Sequence, residues 1–460
     1  MAQQENKVQQ VEHIVIIGNG ISGVTAARYV RKLSDKKVTI ISSETKHFFS
    51  RTALMYIYMG HMPAEDTKPY EDWFWAKNRL NLIQDHVQNV NTRTQTLSMY
   101  KGEPIHYDKL LIACGSKPNK YGWPGQDAEG VQGLYSMQDL EGMESYSPTT
   151  KHAVIVGGGL IGIEMAEMFA SRGITTTFLV REKSYWSNVL PAEESEMISR
   201  HILEHHIDLR LGTELKEILT DSNGRARAVV TTSGEEIACQ FVGLTAGVSP
   251  NIDFVKNSKE CDIDCKKGIL VNDFLATTAP NVFAVGDCAE LMNPEPSRRP
   301  IEAIWYTGRM MGETAAYNMC DKRVKYSPKM WFNSAKFLDI EYQVYGEVPT
   351  KPTEHATAVY WEQPEGRKSV RIVFNKNTKA VLGFNLMGVR YRHEVCEKWI
   401  QDQTHVEEVL QQLGLANFDP EFFTEYESKI IEVYNKEQNR NLELKQKRSL
   451  SAVWRFLKGK

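Results

Sequence analysis

One stretch constrains the chain more than any other. Residues 13–44 read HIVIIGNGISGVTAARYVRKLSDKKVTIISSE. The short β-branched run from His13 to Ile17 is the pattern of a strand buried on both faces in a parallel sheet. Gly18, Gly20 and Gly23 follow at G-x-G-x-x-G spacing, with Ser22 inside the motif. They open an amphipathic helix through Val24, Ala27, Tyr29 and Val30, and a second β-branched run, Val38 to Ile41, leads to Glu44. Each glycine has a physical task. Gly18 permits the tight strand-to-helix turn, Gly20 lets backbone approach a pyrophosphate, and Gly23 lets helix and strand pack closely. The helix N-terminus presents free N–H groups and a partial positive charge to phosphates. Glu44 lies about 20 residues beyond the last glycine, where a carboxylate accepts hydrogen bonds from ribose hydroxyls. A glycine triplet alone says little; strand, helix, strand and acid in register predict a dinucleotide site.

The design is repeated. Residues 152–182, HAVIVGGGLIGIEMAEMFASRGITTTFLVRE, carry a strand from Ala153 to Val156, then Gly157, Gly159 and Gly162 at the same spacing. A helix through Ile163, Met165, Ala166 and Phe169 stops near Gly173, and a strand from Thr176 to Val180 ends in Arg181 and Glu182. Two sites imply two dinucleotides, and electron flow from a nicotinamide to a tightly held FAD is the economical account of the pair. A carboxylate at the end of the second acid strand suits NADH, and Arg suits the 2′-phosphate of NADPH. With Arg181 at that position, Glu182 behind it and Lys183 adding charge, both nucleotides stay open, with a tilt to NADPH.

Three further stretches carry a family resemblance. LLIACGSKP (110–118) resembles an "ATG-x-x-P" strand, with Cys114 in place of the usual Thr and Gly115 after it. LTAGVSPN (244–251) resembles the strand that leaves an NAD(P) domain, and TTAPNVFAVGDCAE (277–290) is the most specific of the three. The chain resembles the pyridine nucleotide-disulfide oxidoreductase superfamily of flavoproteins. The resemblance implies an α/β fold with two Rossmann-like dinucleotide-binding domains, for FAD and NAD(P), plus an α+β C-terminal domain. It places the FAD domain at 1–122 and 247–325, the NAD(P) domain at 123–246, the C-terminal domain at 326–435 and a basic amphipathic tail at 436–460. It implies that Asp287, after Gly286, bonds the ribityl chain of FAD. The turn-rich YGWPG (121–125) fits the first domain crossing.

The residues just beyond Glu44 distinguish the branches of the family. Disulfide reductases of the family carry a Cys-x4-Cys pair there, and its NADH oxidases keep one redox Cys nearby. Residues 46–58 read KHFFSRTALMYIY, without cysteine. Neither Phe nor Thr replaces a thiolate as nucleophile or electron relay. The segment is similar instead to the "P-Y-x-R-P-x-L-S-K" of ferredoxin and rubredoxin reductases and of apoptosis-inducing factor, with Phe49, Arg51 and Leu54 on its Tyr, Arg and Leu. That likeness gives Arg51 a contact to FAD. Where those proteins have a Lys near the flavin, this chain has Tyr56. The usual partner of that Lys falls at Glu164, for which two roles stand, positioning of the nicotinamide and solvation of a helix face. KMWFNSAKFLD (329–339) and YQVYG (342–346) resemble the start of the ferredoxin-reductase C-terminal domain. Trp305, before a helix at Gly308, is expected either beside the isoalloxazine or in the core.

The function expected is therefore an FAD-dependent NAD(P)H oxidoreductase that passes electrons to an external acceptor of ferredoxin or rubredoxin type. The alternatives are a redox-sensing interaction protein like apoptosis-inducing factor and a flavoprotein subunit of a larger electron-transfer complex. No iron–sulfur or haem ligand set is present, so the acceptor is another molecule. A net charge of −3 gives no case for nucleic acid. The polar opening MAQQENKVQQ lacks the apolar core of a signal peptide, and seven scattered cysteines suit a reducing cytoplasm.

No metal site is expected. Cys261 and Cys265 read as a solvated loop, and His201, His205 and His206 as a solvated helix face without an H-E-x-x-H pattern. The tail carries Arg440, Lys445, Lys447, Arg448, Arg455, Lys458 and Lys460, with Leu450, Val453, Trp454 and Leu457 at helical spacing. That pattern fits packing on its own domain, a protein partner or a membrane surface. Homo-oligomerisation is open.

Overall fold

The computed structural model of the chain describes residues 11–296, 298–351, 353–418, 425–445 and 449–459. The polar opening read against a signal peptide, and Lys447, Arg448 and Lys460 of the tail, lie outside the described residues. The chain divides into two compact units. One comprises Met1–Lys120, Gly133–Tyr146 and Gly247–Pro328, the other Tyr121–Gln132, Ser147–Ala246 and Lys329–Lys460.

In the first unit the strand His13–Ile17 lies at the centre of a five-stranded parallel sheet, in the order Val282–Ala284, Lys109–Ile112, His13–Ile17, Lys37–Ser42, Leu80–Gln84. Ile14, Val15 and Ile16 are completely buried, as a central parallel strand requires. The helix Ile21–Leu33 covers the sheet through Val24, Ala27 and Val30 and turns Arg31 and Lys32 to its C-terminal end, where their charge suits the helix dipole. It packs against the helix Trp305–Met319. Ser22 sits at that crossing. A Cβ on Gly286 or Gly308 would fall 2.5 or 2.6 Å from its Oγ, and one on Gly312 would fall 2.3 Å from its carbonyl oxygen. Only bare backbone lets the two helices meet this closely.

The second unit repeats the parallel sheet. Its order is Asp208–Leu211, Thr175–Val180, His152–Val156, Phe241–Leu244, Val131–Gln132, with the helix Leu160–Ser171 against it. The same unit contains a five-stranded antiparallel sheet ordered Phe332–Phe337, Ile340–Gly346, Val381–Met387, Ser369–Asn375, Ala356–Glu362. Helices His393–Gln401 and Glu427–Gln438 complete its core around the fully buried Trp399, Phe374 and Phe384. The fold is the expected one, two Rossmann-like halves and an α+β C-terminal part.

A buried ion pair ties the antiparallel sheet to the parallel-sheet half of this unit. Glu194, on the helix Ala192–Glu204, is 0% exposed and accepts from Arg371 Nε at 2.7 Å, Arg371 Nη2 at 2.8 Å and Asn385 Nδ2 at 3.1 Å. Lys336 adds a second link, donating to Glu167 at 2.8 Å.

Three surface expectations change. His201 is 1% exposed rather than solvated, because Asp339, 138 residues on, folds over its ring. The tail helix Leu450–Leu457 packs back on its own unit through Ala452, Val453 and Phe456, while Leu450 and Trp454 are 69% and 64% exposed. The apolar face expected from spacing is thus split, Val453 inward and Leu450 and Trp454 outward. Cys261 and Cys265 are half-buried free thiols against the first unit's core, rather than in a fully solvated loop. No helix among the described residues is long and apolar enough to cross a membrane.

Candidate functional site

The two glycine motifs share one steric logic. Gly18 has φ +107°, and a Cβ on it would lie 2.1 Å from the Ala113 carbonyl oxygen; one on Gly23 would lie 2.1 Å from the Gly18 carbonyl oxygen. Gly157 (φ +117°) and Gly162 repeat this, with a Cβ 2.6 Å from Thr245 O and 2.1 Å from Gly157 O. These four glycines are demanded by the chain's own packing. Gly20 and Gly159 are not, since a Cβ on either would meet nothing within 4 Å. Both are extended N-cap residues of their helices, so the bare face they leave adjoins a row of free helix N–H groups. The residues therefore fit a pyrophosphate at each motif.

Around the first motif, Glu44 is held from both sides. Its carboxylate accepts from Arg51 Nη1 at 3.0 Å, Arg51 Nη2 at 2.6 Å and the Met137 amide at 2.8 Å. Arg51 also donates to the Tyr135 carbonyl, and its guanidinium lies 4.6 Å from the Tyr135 ring centre. The Tyr135 hydroxyl donates to Asp287 Oδ2 at 3.2 Å and accepts from the Ser116 amide at 2.9 Å. A chain of polar contacts thus runs from Glu44 to Asp287. Burial lifts the Asp287 carboxyl above its ordinary range, opposed by the Tyr135 hydroxyl and the Arg51 charge. Sequence reasoning missed Tyr135, whose segment carries no motif and returns to this unit after an excursion. Ser22, grouped with the cofactor residues from its place in the motif, is 6% exposed and also packs against glycines of the facing helix.

Gly115 has φ +67°, and a Cβ on it would strike the Tyr135 hydroxyl at 2.8 Å. The neighbouring Cys114 thiol donates to Asn251 O at 3.1 Å. Its interaction with Cys288 and its burial push it well above the ordinary thiol range, so it stays protonated. All seven cysteines are free thiols. Trp305 opens its helix at 37% exposure, which removes the core-Trp alternative, and its ring meets Tyr306 edge-on at 5.4 Å.

Around the second motif, Arg181 follows the strand Thr175–Val180 with its side chain 70% exposed, paired to Glu182 at 3.0 Å. Glu164, on the helix after the motif, is not a freely solvated carboxylate. Burial, reinforced by the charge of Glu167 and opposed by Lys336, raises its pKa to about 7.

The family profile described as pyridine nucleotide-disulphide oxidoreductase matches residues 12–316. The chain belongs to this family. Its cofactors, FAD and a pyridine nucleotide, are those for which the two motifs are built. An NAD(P)H sulfur oxidoreductase (CoA-dependent) of Pyrococcus abyssi is 30% identical over 348 residues, 74% of this chain and 76% of the relative. Rubredoxin-NAD(+) reductase of Ectopseudomonas oleovorans is 25% identical over 284 residues, 61% of this chain and 73% of its own. The chain spans only about a third of two longer Bacillus subtilis relatives, the assimilatory nitrate reductase electron transfer subunit (36%) and nitrite reductase [NAD(P)H] (34%). In fold it is similar to an NAD-dependent persulfide reductase from A. fulgidus (TM-score 0.80, 19% identity, 93% of this chain and 84% of that one). It is also similar to a ferredoxin reductase from Rhodopseudomonas palustris (TM-score 0.74, 19% identity, 82% and 91%).

Proposed function

We propose that the chain is an FAD-dependent NAD(P)H oxidoreductase that delivers electrons to a separate carrier, of the ferredoxin or rubredoxin type, in the cytoplasm. The observation that carries this reading is the pair of motifs in which Gly20 and Gly159 alone are bare for no reason of internal packing. FAD, when bound, supplies two-electron acceptance from a nicotinamide and release to a carrier.

The chain's residues do the rest. Gly20 and the helix N–H groups behind it seat the FAD pyrophosphate. Glu44 accepts from ribose hydroxyls, steadied by Arg51 and the Met137 amide, and Asp287 takes the ribityl chain. Gly159 seats the second pyrophosphate, and Arg181 and Glu182 lie at the ribose edge. Glu164, neutral through about half the population near pH 7, would donate or accept a hydrogen bond at the nicotinamide, and the partly exposed Trp305 would hold the flavin ring. The FAD part then takes 1–122 and 247–325 together with 133–146, whose Tyr135 and Met137 hold Arg51 and Glu44, and NAD(P)H takes the rest of 123–246, ahead of a C-terminal domain over 326–435. The segment 46–58 holds no thiol, and the Cys114 thiol stays protonated, so no sulfur relay stands between flavin and carrier. Names among the relatives, including rubredoxin and ferredoxin reductases, support the same acceptor class.

The test is anaerobic reduction of the FAD-loaded protein with NADH and with NADPH, followed by titration with ferredoxin, rubredoxin and a quinone. Bleaching by a nucleotide and reoxidation by a protein carrier are expected. No bleaching with either nucleotide overturns the reading. A second reading, partner assembly through the tail, is favoured by the outward Leu450 and Trp454 beside Arg455 and Lys458. Rapid turnover with a carrier that survives deletion of residues 449–460 counts against it.

A further inference from the structure

The helix Ala192–Glu204 presents His201 one turn before His205, and both rings face the turn that carries Asp339. One ligand atom from each of the three residues lies within 4.8 Å of the other two. The imidazole centres are 4.4 Å apart at 73°, and His205 Nε2 stands 3.7 Å from Asp339 Oδ1, too far for a hydrogen bond. Three donors around a tetrahedral zinc ion, each about 2.0–2.2 Å from it, would lie about 3.3–3.6 Å from one another. The His205–Asp339 separation is close to that value.

The ring protons are arranged in the same sense. His205 Nδ1 lies 2.9 Å from the His201 carbonyl oxygen, which can only accept. Nδ1 therefore carries the proton, and the lone pair of Nε2 is left facing Asp339. A backbone carbonyl in this position is a usual orienting partner of a metal-binding imidazole. His201 has a second-carboxylate counterpart, since Glu204 Oε2 lies 3.6 Å from its Nδ1. One side chain opposes a cation. Arg367 donates to His201 Nδ1 and approaches Asp339 Oδ1 at 3.6 Å, while pairing with Glu204 at 3.0 Å. Its donation to Nδ1 fixes the His201 proton on Nε2, toward Asp339, which blocks that ligand until Arg367 withdraws.

We propose that His201, His205 and Asp339 form a site for a divalent transition-metal ion of the zinc, cobalt or nickel class, gated by Arg367. On binding, His201 Nε2 loses its proton to solvent, Nδ1 gains one and donates to Glu204, and Arg367 retains Glu204 alone. Two nitrogen donors and one carboxylate suit these ions over magnesium or calcium, which prefer all-oxygen shells. The ion would pin the helix Ala192–Glu204 to the antiparallel sheet of the same unit.

The test uses untagged, chelator-stripped full-length protein titrated with Co2+ and Zn2+ at pH 7.5. Cobalt is expected to give visible d–d absorption with tetrahedral intensity, and zinc to raise the melting temperature. His205→Ala and Asp339→Asn should each weaken binding at least tenfold, with folding checked by circular dichroism. Arg367→Gln should tighten binding several-fold, because it removes the competing donor. Three results overturn the proposal: no binding tighter than millimolar, cobalt spectra of His205→Ala and Asp339→Asn equal to the parent's, or weaker binding in Arg367→Gln.

Discussion

Alanine at Gly20 separates what the glycine does for the fold from what it does for a ligand. Gly20 has φ −70° and ψ −177°, backbone that any residue adopts, and its Cβ would touch no protein atom within 4 Å. The fold therefore tolerates the methyl group, and the reduced freedom of the unfolded chain stabilises the apoprotein by about 0.4–1 kcal/mol. A phosphate seated on that face is displaced by the methyl and loses at least one charged hydrogen bond, worth about 1.5–3 kcal/mol. That corresponds to a roughly 10- to 150-fold weaker Kd for FAD. Gly18→Ala should behave oppositely. At φ +107° and 2.1 Å from the Ala113 oxygen it must shift backbone, so folding fails before binding can be measured. The assay is thermal melting of stripped protein with titration of FAD by fluorescence quenching. If Gly20→Ala binds FAD as the parent does, the reasoning about its bare face is wrong. Gly159→Ala should show the same split for NAD(P)H.

Three further outcomes are expected. Glu194→Ala leaves Arg371 buried without its carboxylate and should destabilise the second unit by about 3–5 kcal/mol in urea unfolding followed by tryptophan fluorescence; a change below about 1 kcal/mol would contradict the role given to that pair. Glu164 has a folded pKa raised from 4.5 to about 7, so the folded state holds the extra proton and stability should fall as pH rises through that window, then level off. Glu164→Gln should flatten melting temperature against pH between those values, and an unchanged slope rules the assignment out. Arg181→Ala should raise the KM for NADPH about tenfold with little effect on NADH, as loss of one charged contact to a 2′-phosphate requires; equal effects on both nucleotides would mean that Arg181 does not read that group.

Both dinucleotide motifs were legible because their determinants are local. Strand, glycine spacing, helix and acid lie within about 30 residues, and each glycine's reason is steric and short-range. The features that escaped depend on distant pairing. Tyr135 reaches Asp287 across 152 positions, and nothing near it in sequence marks a site residue. His201 was read as solvated with its histidine neighbours, although it shares the helix face of Met197, Ile198 and Ile202, and only the fold brings Asp339 to its ring. Ser22 sits inside a binding motif, yet its neighbours are Gly286, Gly308 and Gly312 from the far end of the unit. The tail's spacing identified a helix correctly and could not say which of its apolar residues faces inward.

The clasp of Glu194 with Arg371 and Asn385 gives the last third of the chain a duty toward the middle third. A shortened protein ending at Ala246 would carry an intact second glycine motif, but it would turn the sealed acid of the helix Ala192–Glu204, the partner of Lys336 and the ring of His201 out into water together. Nucleotide recognition on such a fragment would be read on a surface the whole molecule never shows. The C-terminal sheet is thus the lining of the parallel-sheet half of its unit, and replacing it means replacing the helix Ala192–Glu204 with it.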